Sequence, residues 1–139
     1  SAMVIPSLIR KAFSDGVLSV WGDGSAIRDF IHARDVARGM IFAVENKITE
    51  PINLGSGDEI SIKRIAETIA TEADVEIQWD TTKPTGDPRR VFDMSRANSY
   101  GFFPEVSIED GIKETISWYL KNKQVANAGK DVFKLMGKS

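Results

Sequence analysis

This 139-residue sequence reads as an α/β fold built from short strands and about four helices. Three observations predict it. A stretch from Ser61 to Ala73 places Ile62, Ile65, Ala66, Ile69, Ala70 and Ala73 on one helical stripe. Directly after it, Val75 to Trp79 alternates polar and apolar residues, as a half-buried strand does. Glycine turns at Gly22-Asp23-Gly24 and Gly55-Ser56-Gly57 then punctuate the remaining apolar runs.

Taken in order, the chain opens with a helix in which Pro6 occupies the first turn, where its missing N–H costs nothing. Leu8, Ile9 and Phe13 form its apolar face and Gly16 stops it. Val17 to Trp21 and the run opened by Arg28 read as the two arms of a β-hairpin with a loop longer than two residues. Asp35 is placed to cap a helix carrying Val36, Met40, Phe42, Ala43 and Val44, which Glu50-Pro51 ends. Pro51 to Leu54 reads as a short strand. Ser61 caps the striped helix, Thr81 to Arg90 is loop, and Val91-Phe92 resumes an extended run. Ser95 is expected to cap a short helical turn ending near Gly101. Ser107, with Asp110 three residues on, begins a capping box. The helix it opens lines up Ile108, Ile112, Ile116, Tyr119 and Leu120. Trp79 and Trp118 fall on apolar stripes and read as core. The domain is drawn over residues 1–122. Residues 123–139, with an apolar cluster at Val132, Phe133, Leu135 and Met136, read as a polar tail, a frayed end in preference to a short docking helix.

Composition narrows the function. The chain is 42% hydrophobic and 27% charged with a formal net charge of −2, values suited to one globular domain. A slightly acidic balance without basic blocks argues against nucleic acid as a partner. No apolar run approaches the ~20 residues of a membrane helix, and no signal peptide is visible, so a cytoplasmic protein with no membrane partner is expected. Without cysteine there is neither a disulfide framework nor a thiol nucleophile, and one histidine without clustered carboxylates leaves no metal site.

The stretch with chemical promise runs from Trp21 to His32. An indole offers a flat stacking face, and a guanidinium offers a rigid fork that matches phosphate oxygens. Trp21 and Arg28 across a glycine turn can therefore hold one ligand, or can be a half-buried ring and a solvated charge on a surface hairpin. Lys11, Arg28, Lys83 and Arg90 are the cations available to a diphosphate, whose charge of about two units needs paired donors when buried. Lys83, Arg89 and Arg90 compete for one role, and Lys11 competes with the adjacent Arg10. His32 has no nucleophile or ligand set arranged around it and reads as structural, so no catalytic residue is assigned. The glycine pairs lack the third glycine of a dinucleotide fingerprint, with Ile27 and Ile60 in its place.

Trp21 to Met40, WGDGSAIRDFIHARDVARGM, resembles the segment W-G-x-G-x-x-x-R-(D/E)-(F/Y)-(I/L)-H-x-x-D-(V/L)-A of extended short-chain dehydrogenase/reductases acting on nucleotide sugars. Val4 to Lys11, Ile52 to Gly57 and Lys83 to Arg90 match further motifs in the order that family has them. The resemblance spans roughly residues 3–122. The KP-x-G-x-PR run is most similar to the fucose synthases within the family. The resemblance implies the C-terminal substrate-binding lobe of such an enzyme, lacking the N-terminal Rossmann half. It also implies that the arginine at the place of Arg28 and a basic residue of the Lys83–Arg90 loop contact the diphosphate. By the same resemblance, the residues at the places of Trp21 and Lys11 line the nucleotide pocket.

The Gly-x-x-Gly-x-x-Gly cofactor loop and Tyr-x-x-x-Lys pair of the family belong to its N-terminal domain. No cofactor is therefore expected on this chain, while NAD or NADP is expected in the parent enzyme, together with a nucleotide-diphosphate sugar and the missing Rossmann domain as partners. The Tyr119–Lys123 match to Tyr-x-x-x-Lys lies in the last helix and reads as coincidence. One departure is visible: fucose synthases carry histidine directly before V-I-P, where this chain has Met3. Either the activity differs within the superfamily, or residues 1–3 are foreign to the protein. The alternatives to a lobe of an epimerase, reductase or dehydratase are a stand-alone nucleotide-binding module and an interaction module without catalysis.

Overall fold

The structure, a computed structural model, describes residues 4–136, with side chains described for residues 4–123. Residues 1–3, including the Met3 departure, lie outside it. Among the described residues, five helices and five short strands alternate. They run α1 (Val4–Asp15), β1 (Leu18–Trp21), β2 (Ile27–Arg28), α2 (Ala33–Glu45), β3 (Ile60–Ser61), α3 (Ile62–Ala73), β4 (Ile77–Asp80), β5 (Arg89–Arg90), α4 (Ser95–Ser99) and α5 (Ile108–Met136).

The main core forms where the helical stripes meet. Leu8, Ile9 and Ala12 of α1, Ile65, Ala66, Ile69 and Ala70 of α3, and Ile112 and Ile116 of α5 close on Leu18 and Val20 of β1. Burying each large aliphatic chain stabilises the fold by about 1.5–3 kcal/mol. The ends of these helices follow local chemistry. Gly16, at φ +69°, ends α1. The Ser61 hydroxyl accepts from Arg64 N at 3.0 Å to open α3, and the Ser107 hydroxyl accepts from Asp110 N at 3.1 Å to open α5.

The expected hairpin is absent. β1 pairs in parallel with β4, Leu18 opposite Ile77 and Trp21 opposite Asp80. β2 instead lies between β3, antiparallel, and β5, parallel, with Ile27 opposite Arg89 and Arg28 opposite Arg90. The glycine turn redirects the chain instead of reversing it. Gly24 O and Ala26 O accept from Lys63 N and Ile62 N, so residues 24–26 satisfy the first amides of α3. Gly24, at φ +80°, lies under the Trp79 ring, and a Cβ there would stand 2.6 Å from it.

Four further expectations are corrected. His32, not Asp35, caps α2, its Nδ1 accepting from Arg34 N at 3.0 Å. Asp35, 1% exposed, turns inward and accepts from Val106 N at 2.9 Å and Glu105 N at 3.1 Å. Burial pushes its carboxyl up, but those two amides and Arg38 outweigh the penalty and hold it below the usual carboxylate range. Pro51–Leu54 is not a strand, because no neighbouring strand offers it a ladder. Side chains hold it instead: Arg96 Nη1 donates to Pro51 O at 2.6 Å and Asn53 Nδ2 to Asp93 O at 3.1 Å.

Ser95 is the first helical residue of α4 and not its cap; Asp93 Oδ1 accepts from its amide at 2.9 Å. Trp118 is 65% exposed, since two residues past Ile116 lies about 200° round the helix and so off the buried stripe. Trp79 does pack against the main core. The side chains of Val132, Phe133, Leu135 and Met136 lie outside the described residues.

Candidate functional site

Arg28 ends β2 and reaches over the loop that leads into β5. Its Nη1 donates to Asp87 O at 2.7 Å and to Ile27 O at 2.8 Å, and its Nη2 to Thr85 O at 3.5 Å. These partners are neutral carbonyls. No carboxylate lies within 4.0 Å of Arg28 among the described residues. The guanidinium is thus held in place by neutral groups, with the Asp87 carboxylate near enough to feel its charge but not in ion-pair contact.

The same loop folds against Trp21. Lys83 Nζ lies 5.9 Å from the centroid of the indole, which is 58% exposed at the end of β1. Gly22, at φ +88°, packs so tightly on the Thr85 side chain that a Cβ would collide with it. Behind Arg28, Asp29 ties three segments together. Its carboxylate accepts from Ser56 N at 2.6 Å, Ser56 Oγ at 2.9 Å and Phe92 N at 3.2 Å. A cleft of about 370 Å³ opens here, lined by Val4, Arg28, Asp29, Phe30, Arg90 and Phe92.

Lys83 meets Trp21 at the start of the 80–90 loop, while Arg28 and Arg90 flank Asp87 further along it and line the cleft, to whose lining neither Trp21 nor Lys83 contributes. Lys11, on α1, is linked to this group by no hydrogen bond or ion pair among the described residues. The three loop cations differ in state. Arg89 is held by Glu59, its Nε donating at 2.7 Å, and Arg90 by Asp87, with Nη2 to Oδ2 at 2.6 Å. Lys83 has no carboxylate partner among the described residues. Sequence reasoning missed these acid partners, although Asp87 and Arg90 at i, i+3 across Pro88 were a visible signal.

His32 serves α2 as its cap and stands 3.4 Å from Glu114 through Nε2. Neither glycine pair opens a helix. Gly22 and Gly24 bend between strands and Gly55 lies against the Asp29 carboxylate, so these residues do not fit a dinucleotide phosphate loop. No cluster of three metal-ligating side chains occurs among the described residues, and no helix there is long and apolar enough to cross a membrane.

The fold is that of the short-chain dehydrogenase/reductase epimerases, and residues 1–55 match the model of the NAD dependent epimerase/dehydratase family. Within it, the chain is similar to the fucose synthases. It is 39% identical over 127 residues to GDP-L-fucose synthase 1 of Arabidopsis thaliana, covering 86% of this chain and 39% of that one. To GDP-L-fucose synthase of Escherichia coli it is 33% identical over 137 residues, covering 43% of that protein. Among solved structures, a GDP-L-fucose synthetase from Naegleria fowleri superposes with a TM-score of 0.77 at 28% identity, covering 87% of this chain and 40% of that one. The same enzyme has also been solved bound to NADP. The chain thus spans about two fifths of the length of the curated relatives it matches.

Proposed function

We propose that this chain is the nucleotide-sugar-binding portion of an NAD(P)-dependent epimerase, reductase or dehydratase. One observation carries the reading: Arg28 is clamped by backbone carbonyls of residues 85 and 87 with no carboxylate in ion-pair contact among the described residues, and the same loop sets Lys83 over the exposed Trp21 indole. The ring takes the base by stacking, while the guanidinium forks onto the diphosphate and Lys83 adds a second positive charge. The sugar is then presented to the reacting groups, so that contacts remote from the chemistry position it.

The cofactor and the acid/base groups belong to the rest of a cytoplasmic parent enzyme, and the chain alone turns nothing over. Two features of the fold support a missing half. Met40, Ile41 and Val44 of α2 are 61%, 58% and 79% exposed. Next to α2, residues 51–54 have no strand partner among the described residues. An apolar helix face next to an unladdered segment is what a second layer covers.

Calorimetric titration of GDP and guanosine into the wild type and Arg28→Ala tests the reading. The variant loses a charge-assisted bond worth about 1.5–3 kcal/mol, so the GDP dissociation constant rises roughly ten- to a hundredfold while guanosine is unaffected. Trp21→Ala weakens both ligands alike. Equal weakening of GDP and guanosine in Arg28→Ala, or no GDP binding by the wild type, overturns the assignment.

A further inference from the structure

Asp87 stands between the two arginines of the cleft and treats them differently. Its main-chain carbonyl anchors Arg28 at 2.7 Å without neutralising it, and its carboxylate pairs with Arg90 at 2.6 Å. Arg90 lines the cleft, whereas its neighbour Arg89 is tied to Glu59, which precedes β3. The Asp87 side chain makes no other hydrogen bond or ion pair among the described residues and is 64% exposed, so it is free to swing into solvent. The Arg90 guanidinium, and to a lesser degree Arg28, holds its carboxyl below the usual range, which keeps it charged at neutral pH.

We propose that Asp87 is an affinity-tuning residue of the site that acts as a built-in competitor for the anionic ligand. Its carboxylate occupies the guanidinium that the second phosphate of a nucleoside diphosphate takes. Binding at Arg90 is then an exchange of one anion for another. Arg28, held open by carbonyls, accepts a first phosphate without displacing anything. Arg90 is surrendered only to a ligand with enough charge to replace the carboxylate, so Asp87 imposes a cost on the second phosphate contact that a single phosphate seated on Arg28 does not meet. This inference rests on the nucleoside diphosphate reading of the site and adds to it the residue that holds down affinity for the second phosphate.

The test titrates GDP, GMP and guanosine into the full chain carrying Asp87→Asn or Glu59→Gln. Asp87→Asn keeps the backbone carbonyl on Arg28 and the side-chain size but removes the competing charge. It is expected to lower the GDP dissociation constant about two- to fivefold, the scale of an exposed ion pair, with a smaller gain for GMP and none for guanosine. Glu59→Gln removes the same charge from Arg89 and leaves the Arg90 pair intact, so its effect on GDP is smaller. If the wild type binds GDP and Asp87→Asn leaves that constant unchanged or raised, or if Glu59→Gln matches its gain, Asp87 is not the competitor and the site reading stands. If the wild type binds no GDP, the site reading falls and this inference with it.

Discussion

The two hydrophobic clusters of this chain differ in how far their own elements enclose them. Between α1, α3, α5 and β1, residues such as Ile9, Leu18, Ile65 and Ile69 have no measurable exposure, and each stripe meets another. Around α2 and α4 the buried hydrophobic cluster is Met94, Ala97 and Phe102, with Phe42, Ile52 and Leu54 packed at its margin. Gly39 lets α2 approach Leu54 and Phe102, while Met40, Ile41 and Val44 face outward. The comparison teaches that an apolar pattern selects a helix, but only a second surface buries it.

The largest effect is expected in the enclosed cluster. Ile65→Ala should cost about 2–5 kcal/mol in urea denaturation, by lost transfer energy and a cavity that rigid neighbours cannot fill. A loss as small as that of a surface variant would erase the distinction between the two regions.

An intermediate effect is expected where the second region is tied to α5. Asp35→Asn turns an amide toward the Glu105 and Val106 N–H groups and should cost about 1–3 kcal/mol at pH 7. Because the folded carboxyl titrates below its ordinary value, its contribution is complete above the usual carboxylate range and is lost as pH falls through the folded value. The gap between wild type and variant should therefore narrow below about pH 4. A gap that widens on acidification would reverse the sign assigned to Asp35.

The smallest effect is expected on the open face. Ile41→Lys should change stability by no more than about 0.5 kcal/mol, since more than half of the residue is exposed. A cost above 1 kcal/mol would show that Ile41 is packed after all, and the contrast with Ile65 would fail.

What was legible in the sequence follows the range of the interactions. α1, α3 and the start of α5 depend on near neighbours, and their stripes, the Gly16 stop and the Ser61 and Ser107 caps could be read directly. The strands depend on partners far along the chain. Nothing near Trp21 indicates that β1 pairs with residues 77–80, so a glycine turn looked like a hairpin. Asp35 looked like a cap because aspartate often is one; its real partners are amides 70 and 71 residues further on. For the candidate site, the motif order suggested Lys11, Trp21, Arg28, Lys83 and Arg90, of which Arg28 and Arg90 line the cleft. It did not indicate that Arg90 has an acid partner and Arg28 only carbonyls, because those states depend on how the 83–90 loop folds.

The grip of Arg28 on Asp87 closes 59 residues of chain. Contacts of that separation are late events in folding, because the closure entropy must be met before the contact rewards it. Within the closed segment lies α3, whose cap and stripe can form from local interactions. The clamp around Arg28 is thus a long-range contact that encloses a helix with local support of its own. An unfolded chain has no such clamp, so an anion that needs it binds the native state alone and raises the melting temperature in proportion to the logarithm of its concentration above the dissociation constant.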